Sequence, residues 1–236
     1  MTARIVLVTG ASRGIGRAAA VALAGEGVHL ILVARTVGGL EETDDAVRAA
    51  GGTATLVPLD LKDGAGIDRL GASIFERWGR LDGFLGNAGV LGALTPITHL
   101  DPKVFDEVLA VNVTANWRLL RSLDPLLRRS DAGRVVLVSS SVARQARPFW
   151  GGYAMSKAAL ESLALTYAAE CAETKLRVNV LNPGATATLM RAKAMPGEDP
   201  ATLPSPDGVA VLIKEMLSEA WEETGAVVNY REWVGK

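Results

Sequence analysis

The chain has 236 residues, and 49% of them are hydrophobic, which is enough for a substantial buried core. Its 25 basic and 26 acidic residues give a net charge of −1, without long runs of one sign. This balance argues against a protein that binds nucleic acids or membrane surfaces. The single cysteine, Cys171, excludes a disulfide within the chain, and His29 and His99 lie too far apart to predict a metal site.

Short β-branched runs alternate with longer amphipathic stretches along the whole chain. The first strand is predicted at 4–9 and the first helix at 14–25, and this order then repeats. Further strands are predicted at 28–34, 53–60, 81–87, 133–140, 176–182 and 225–230. Further helices are predicted at 38–50, 65–78, 102–127, 153–174 and 207–218.

This order of elements predicts an α/β fold. Strands that are apolar almost throughout are buried on both faces, and strict alternation with helices implies parallel strands joined by right-handed crossovers. We therefore expect one domain over 1–236, with a doubly wound parallel sheet of about seven strands in three layers. Four prolines prevent a regular helix throughout 184–206, which lies where a lid over a ligand is expected.

A glycine-rich turn, "TGASRGIG" at 9–16, follows the first strand and opens the first helix. Gly10, Gly14 and Gly16 allow a tight turn and a close approach of the backbone to a ligand. The N–H groups and positive dipole of a helix N-terminus suit a pyrophosphate. A tight turn without a ligand would show the same pattern.

A second motif, "YAMSK" at 153–157, places Tyr153 and Lys157 four positions apart, on one face of a helix. An ammonium near a phenol favours the phenolate, so the pair predicts a lowered tyrosine pKa and a proton donor or acceptor. The motif alone is also compatible with a solvated helix face.

In order along the chain, these and other motifs resemble the classical short-chain dehydrogenase/reductase family. "LDL" at 59–61 resembles the family's adenine-contacting segment, and "NAG" at 87–89 resembles the segment beside the fourth strand. "NPGATAT" at 182–188 resembles the family's proline-glycine motif. The resemblance implies a Rossmann-type sheet in the order 3-2-1-4-5-6-7. It also implies a catalytic set of Asn112, Ser140, Tyr153 and Lys157.

The resemblance assigns a role to each member of this set. Tyr153 exchanges a proton with the substrate oxygen, Ser140 holds that oxygen, and Lys157 holds the cofactor ribose. Asn112 holds a water that links Lys157 to solvent. Ser139 and Ser141 stay open as alternatives to Ser140, and Asn112 could merely bond the backbone.

Contacts to a nicotinamide cofactor follow from the same resemblance. Ala34 stands where an NAD site needs a carboxylate at the end of the second strand, and Arg35 follows it. Arg35 and Arg13 therefore favour NADP(H), although NAD(H) and two solvated arginines stay open. Thr186 and Thr188 could also be simple loop residues. The expected contacts are Gly10, Ser12, Arg13, Gly14, Ile15, Gly16, Arg35, Asp60, Leu61, Asn87, Ala88, Gly89, Tyr153, Lys157, Pro183, Gly184, Thr186 and Thr188.

The substrate is expected to be a small carbonyl or alcohol. The stretch "ARQARPFWGG" at 143–152 is predicted to line its entrance, with Phe149 and Trp150 as an apolar wall. Arg144 and Arg147 are interpreted as binding an acidic substrate or as solvated. The usual Asp-Gly-Gly near the last strand is missing, which bears on substrate and subunit contacts.

Assembly and location are further expectations. The resemblance implies a homodimer or homotetramer through the helices at 102–127 and 153–174. Leu119, Leu120, Leu160, Leu163 and Leu165 lie on these helices at near-helical spacing. No signal-peptide pattern is seen and no apolar run approaches the roughly 18 residues of a membrane span, so a cytoplasmic protein is expected.

Three classes of function fit parts of this pattern. The first is an NAD(P)(H)-dependent oxidoreductase that interconverts a carbonyl and a secondary alcohol. The second is a dinucleotide-binding sensor or scaffold without catalysis, which would be expected to lose the tyrosine, lysine or serine that this chain keeps. The third, an epimerase or dehydratase of the extended branch, needs a C-terminal substrate domain for which we expect no room.

Overall fold

Seven parallel strands form one central sheet in the computed structural model, which describes residues 3–25 and 27–235. The strands are β1 (Arg4–Thr9), β2 (Val28–Ala34), β3 (Thr53–Pro58), β4 (Gly83–Gly86), β5 (Arg134–Val138), β6 (Arg177–Asn182) and β7 (Val227–Asn229). Their order is β3-β2-β1-β4-β5-β6-β7, and every neighbouring pair is parallel. The predicted fold class and strand order are confirmed.

Helices connect the strands. They are α1 (Gly14–Leu23), α2 (Val37–Ala49), α3 (Gly64–Trp78), α4 (Pro102–Leu109), α5 (Ala115–Leu127), α6 (Gly151–Glu170), α7 (Leu189–Ala194), α8 (Pro206–Met216) and α9 (Tyr230–Val234). Short 3₁₀ turns lie at Ile97–His99, Ser141–Ala143 and Pro200–Thr202.

Alternate residues of the buried strands supply two separate cores. On one face, Leu7 of β1 belongs to a core with Leu119 of α5 and Leu160 of α6. On the other face, Val8 of β1 belongs to a core with Leu40 of α2 and residues of α1 and α8. The sheet is therefore the middle layer of three, as predicted.

The strand order reverses between β1 and β4, which lie side by side although two strands, β2 and β3, separate them in the chain. Ligands of such sheets bind outside the carboxyl ends of the strands at this reversal. Residues 9–16 follow β1 and residues 87–89 follow β4, so both motifs lie at this edge.

The observed elements differ from the predicted ones in three places. The predicted helix over 102–127 is two helices joined by a π-helical turn, Ala110–Thr114, which contains Asn112. α7 is a short helix that was not predicted within 184–206, where only a helix throughout was excluded. Thr188 caps its start, and Pro196 follows soon after its end. The last strand ends at Asn229 and α9 begins at once, with Tyr230 buried.

Among the described residues, no helix combines the length and apolar character needed to cross a membrane.

Candidate active site

The glycine turn is tight enough that two of its glycines cannot be replaced without a collision. Gly10 has φ +65°, and a Cβ there would lie 2.8 Å from Nδ2 of Asn87. A Cβ on Gly16 would collide with the carbonyl oxygen of Gly10. Over the described residues, no side chain caps the N-terminus of α1. Its first N–H groups are thus available to an anionic ligand.

Thr9, which the sequence analysis did not single out, joins this turn to the "NAG" segment. Its Oγ1 accepts hydrogen bonds from the N–H groups of Asn87 and Ala88, at 3.0 and 3.1 Å. Nδ2 of Asn87 donates to the carbonyl oxygen of Thr9 at 3.0 Å. The two segments that were predicted to contact the cofactor are therefore one hydrogen-bonded unit.

The residues expected to select the cofactor lie next to this unit. The N–H of Ala11 donates to the carbonyl oxygen of Val33 at 3.2 Å, which ties the glycine turn to the end of β2. Arg35 follows that strand, and both Arg35 and Arg13 are exposed. In the part of the chain that the structure describes, neither arginine forms an ion pair.

Asp60 follows β3 and is half-buried. Its Oδ1 accepts from the N–H of Lys62 at 3.0 Å, which fixes the carboxylate in a local turn. Leu61 is buried, and Ser12 and Ile15 are half-buried in the glycine turn.

Tyr153 and Ser140 meet where β5 and α6 come together. Ser140 follows β5 in an extended conformation, and Tyr153 lies in the first turn of α6. Burial raises the pKa of Tyr153 to about 12, and the hydrogen-bonding interaction with the Ser140 side chain opposes that rise. The hydroxyl of Ser139 donates to Glu161 instead of facing Tyr153, and Ser141 is exposed. The geometry therefore favours Ser140 among the three serines.

Lys157 lies one helical turn beyond Tyr153 and is also buried. Its Nζ is 5.7 Å from the centroid of the Tyr153 ring and donates to the carbonyl oxygen of Val138 at 2.7 Å. Burial lowers the pKa of Lys157 to about 8. The expected lowering of the Tyr153 pKa is wrong for the chain by itself, because burial of the phenol outweighs the hydrogen bond with Ser140.

Asn112 is fully buried and its side chain is already engaged. Oδ1 accepts from the N–H of Val90 at 2.8 Å, while Nδ2 donates to the Val90 carbonyl and to Oγ of Ser156, both at 2.9 Å. A Cβ on Gly89 would lie 3.2 Å from Asn112 Oδ1 and 3.6 Å from Lys157 Nζ. Asn112 therefore does bond the backbone, as the alternative supposed. The backbone it bonds is that of Val90, which follows the "NAG" segment near Lys157.

The segment after β6 reaches back to the glycine turn. Gly184 has φ +68°, and Thr186 is buried and donates to the carbonyl oxygen of Pro183 at 3.3 Å. Thr188 accepts from the N–H of Arg191 at 3.2 Å and caps α7. A Cβ on Gly14 would lie 3.5 Å from Thr188 Cγ2, so the two predicted contact segments are neighbours.

The structure corrects one reading of the predicted entrance at 143–152. Arg144 is neither free for an acidic substrate nor simply solvated, because its Nε donates to Oε2 of Glu161 at 2.8 Å. No local pattern singles out Glu161, since its partners are distant in sequence and only the fold brings them together. Arg147 lies over the Trp150 ring, 5.3 Å from its centroid.

Phe149 and Trp150 do not form one wall. Trp150 is buried against Tyr153, with ring centroids 6.1 Å apart, whereas Phe149 is 56% exposed with φ +74°. Phe149 borders an open cavity of about 640 Å³. The remaining residues around that cavity are Pro96, Ile97, Ala146, Arg147, Pro148 and Gly151.

Comparison with known proteins identifies the family. A family model described as short chain dehydrogenase matches residues 4–199. YciK, an uncharacterized oxidoreductase of Escherichia coli K12, is 42% identical over 219 residues, 92% of this chain and 86% of that protein. An uncharacterized NAD-dependent oxidoreductase of Mycobacterium tuberculosis H37Rv is 38% identical over 201 residues, which are 79% of this chain and 73% of that protein. A Shigella flexneri 2a short chain dehydrogenase, solved in complex with NADP, is 39% identical, with a TM-score of 0.92 over 98% of each chain.

The chain belongs to the short-chain dehydrogenase family, and it is an oxidoreductase of that family. The predicted family and enzyme class are confirmed. The assignments of individual residues rest on the geometry described above and stay predictions.

Proposed function

We propose that this oxidoreductase transfers hydride between a nicotinamide cofactor and a small carbonyl or secondary alcohol, with NADP(H) favoured over NAD(H). The observation that carries the proposal is the meeting of Ser140, Tyr153 and Lys157 beside Gly89 of the "NAG" segment, which follows β4 at the reversal of the sheet. NADP in the Shigella relative supports the choice of cofactor, while the NAD-dependent M. tuberculosis relative makes that choice the part to test first.

The residues at this edge fit a dinucleotide. The backbones of Gly10 and Gly16 approach their neighbours more closely than any Cβ permits, and the N-terminus of α1 faces the same turn. We assign the phosphates to residues 10–16, the adenosine to Arg35, Asp60 and Leu61, and the nicotinamide side to Asn87, Ala88, Gly89, Pro183, Gly184, Thr186 and Thr188. When bound, the nicotinamide supplies or accepts the hydride.

The side chains of this chain then handle the proton. With a pKa near 12, Tyr153 is protonated at neutral pH, which is the form needed to protonate a carbonyl oxygen during reduction. Ser140 holds that oxygen beside the phenol, and Lys157 holds ribose hydroxyls of the cofactor. In the oxidation of an alcohol the same side chain accepts the proton as the phenolate.

A lid and an assembly complete the proposal. Residues 184–206 form the lid of a single domain, braced by an ion pair between Arg191 and Glu198 whose two contacts are 2.5 and 2.6 Å. The protein works in the cytoplasm as a homodimer or homotetramer. Leu119, Leu120 and Leu160 are buried within the chain itself, so they do not form the interface.

A panel of ketones, aldehydes and secondary alcohols, followed by nicotinamide absorbance with NADPH and NADH, tests this function. We expect turnover of at least one carbonyl with NADPH. Tight NADPH binding without turnover of any compound in a broad panel would instead favour the silent sensor or scaffold.

A further inference from the structure

Glu161 is a buried carboxylate that the proposed reaction does not use. It lies on α6, one helical turn beyond Lys157, and is only 6% exposed. Carboxylates are rarely buried unless they are paired and hydrogen-bonded, so this position requires an explanation.

Both carboxylate oxygens of Glu161 bind the loop that carries Ser140. Oε1 accepts from the hydroxyl of Ser139 at 2.7 Å, and Oε2 accepts from Nε of Arg144 at 2.8 Å. Ser139 directly precedes Ser140, and Arg144 directly follows the 3₁₀ turn that begins at Ser141. One side chain thus fixes both ends of this loop to the helix that carries Tyr153.

The charge of Glu161 also acts on Lys157. Burial disfavours the ammonium form of Lys157, and the coulombic effect of Glu161 works against that burial. The charged groups that face Glu161 are Lys157 on its own helix and Arg144 from the loop, while Ser139 at the end of β5 contributes a neutral hydroxyl.

Building on the proposed function, we infer that Glu161 is a positioning residue: it sets Ser140 against Tyr153 and places a negative charge one helical turn from the ammonium of Lys157. Ser140 must hold the substrate oxygen at the phenol, and a small displacement of aligned groups lowers the rate strongly. The ion pair with Arg144 compensates for the burial of the carboxylate and supplies the charge-assisted contact that fixes the loop.

Glu161→Gln tests this role, because glutamine keeps an acceptor for Ser139 and removes the charge. We expect kcat for carbonyl reduction to fall about tenfold or more, with KM for the carbonyl little changed. The alkaline limb of the pH profile of kcat, where activity falls as the pH rises, should move to lower pH by about one unit. The reason is that Lys157 then loses its proton more readily.

Arg144→Gln is the opposing variant and keeps the carboxylate. Arg144 is more than half exposed, so this protein should fold. The unpaired charge of Glu161 should hold the proton of Lys157 more firmly, so the alkaline limb should move to higher pH while kcat falls severalfold. A purely structural role for Glu161 would move neither limb.

Asp82→Asn is the matched control. Asp82 is equally buried, pairs with Arg80 at 3.1 Å and accepts from Ser130 at 2.6 Å, but it lies at the opposite edge of the sheet, just before β4. This variant should lose stability and keep the wild-type pH profile.

Opposite shifts of the alkaline limb in the two variants, with the fall in kcat for Glu161→Gln, support the inference. Unmoved limbs, shifts in one common direction, or kcat within threefold of wild type in Glu161→Gln overturn it. If Glu161→Gln does not fold, the alkaline limb of the Arg144→Gln pH profile decides alone: a move to higher pH supports the inference, and any other result overturns it.

The inference and the proposed function fail in distinguishable ways. A wild-type protein that turns over no carbonyl contradicts the proposed function. NMR titration of the Lys157 ε-carbon then still measures whether Glu161→Gln lowers, and Arg144→Gln raises, the pH at which the lysine loses its proton. An unchanged titration in both variants overturns the inference.

Discussion

Two buried ionisable side chains set the conditions for the proposed chemistry. Burial moves the pKa of Tyr153 up to about 12 and that of Lys157 down to about 8, so each is shifted toward its neutral form. Lys157 is therefore the first of the two to change its protonation state as the pH rises above neutrality. The free-energy cost of burying the charged Lys157 in the folded protein can be measured.

Lys157→Met should raise the free energy of unfolding near pH 7. Because the pKa falls from 10.5 to about 8 on folding, the folded protein binds the proton more weakly than the unfolded chain does. Wild-type stability should thus rise between about pH 8 and 10.5 from this group, and the advantage of methionine should shrink there. We expect roughly 1 to 3 kcal/mol at neutral pH, after allowing for the lost hydrogen bond to Val138.

Denaturant unfolding of both proteins at pH 7 and pH 10 measures this difference. An advantage of methionine that grows with pH would have the wrong sign for a buried lysine and would contradict the assignment.

Cofactor choice also belongs to single residues. A hydrogen bond to a charged group contributes about 1.5 to 3 kcal/mol, so Arg35 at a 2′-phosphate predicts roughly a 10- to 150-fold preference for NADPH in kcat/KM. Ala34→Asp combined with Arg35→Ile should shift the preference toward NADH, because a carboxylate repels the phosphate and binds the ribose hydroxyl. Equal kcat/KM for both cofactors in the wild type would show that this interpretation of Arg35 is wrong.

At the scale of elements, the strand-turn-helix unit β1–α1 depends on glycine. Gly16→Ala should lower stability by about 1 to 3 kcal/mol, because the added Cβ collides with the Gly10 carbonyl and approaches Asn87. It should also weaken NADPH binding at least tenfold. Calorimetric titration with NADPH and thermal unfolding measure the two effects.

Gly38→Ala provides the control for this element. Gly38 lies in α2, and a Cβ there meets nothing within 4 Å. The substitution should be neutral or stabilising by up to about 1 kcal/mol, with unchanged NADPH affinity. Equal behaviour of the two alanine variants would contradict the close packing of the glycine turn.

The long, strongly patterned elements could be predicted from sequence, and the short ones could not. Buried strands such as β1 and β5 are apolar except at their ends, and the helices that follow them repeat at the expected spacing. The π turn around Asn112 has no comparable local pattern, because its geometry is linked to hydrogen bonds with Val90 and Ser156. α9 is also too short for its periodicity to be visible.

The candidate site shows the same division. Residues in ordered motifs, such as Tyr153 and Lys157, could be proposed from their spacing. Glu161 could not, because Ser139 and Arg144 approach it only in the folded chain. The predicted direction of the Tyr153 pKa shift is also wrong, since burial cannot be judged from the spacing of two residues.

At the scale of the whole molecule, we predict a homodimer or homotetramer. Trp117 on α5 is 46% exposed and Met155 on α6 is 41% exposed, so the helices of the expected interface carry apolar side chains on the outside of the chain. Light scattering at micromolar concentration should give two or four times the chain mass of 24.8 kDa. A particle of the monomer mass would contradict this expectation.

The most direct test of the proposed chemistry is Tyr153→Phe, measured on any carbonyl that the wild type reduces. The ring stays and only the acidic proton is lost, so NADPH affinity should remain within about twofold while kcat falls by about 10² to 10⁴. Turnover within threefold of wild type, on a substrate that both proteins bind, would remove Tyr153 from the reaction and contradict the proposed role of this site.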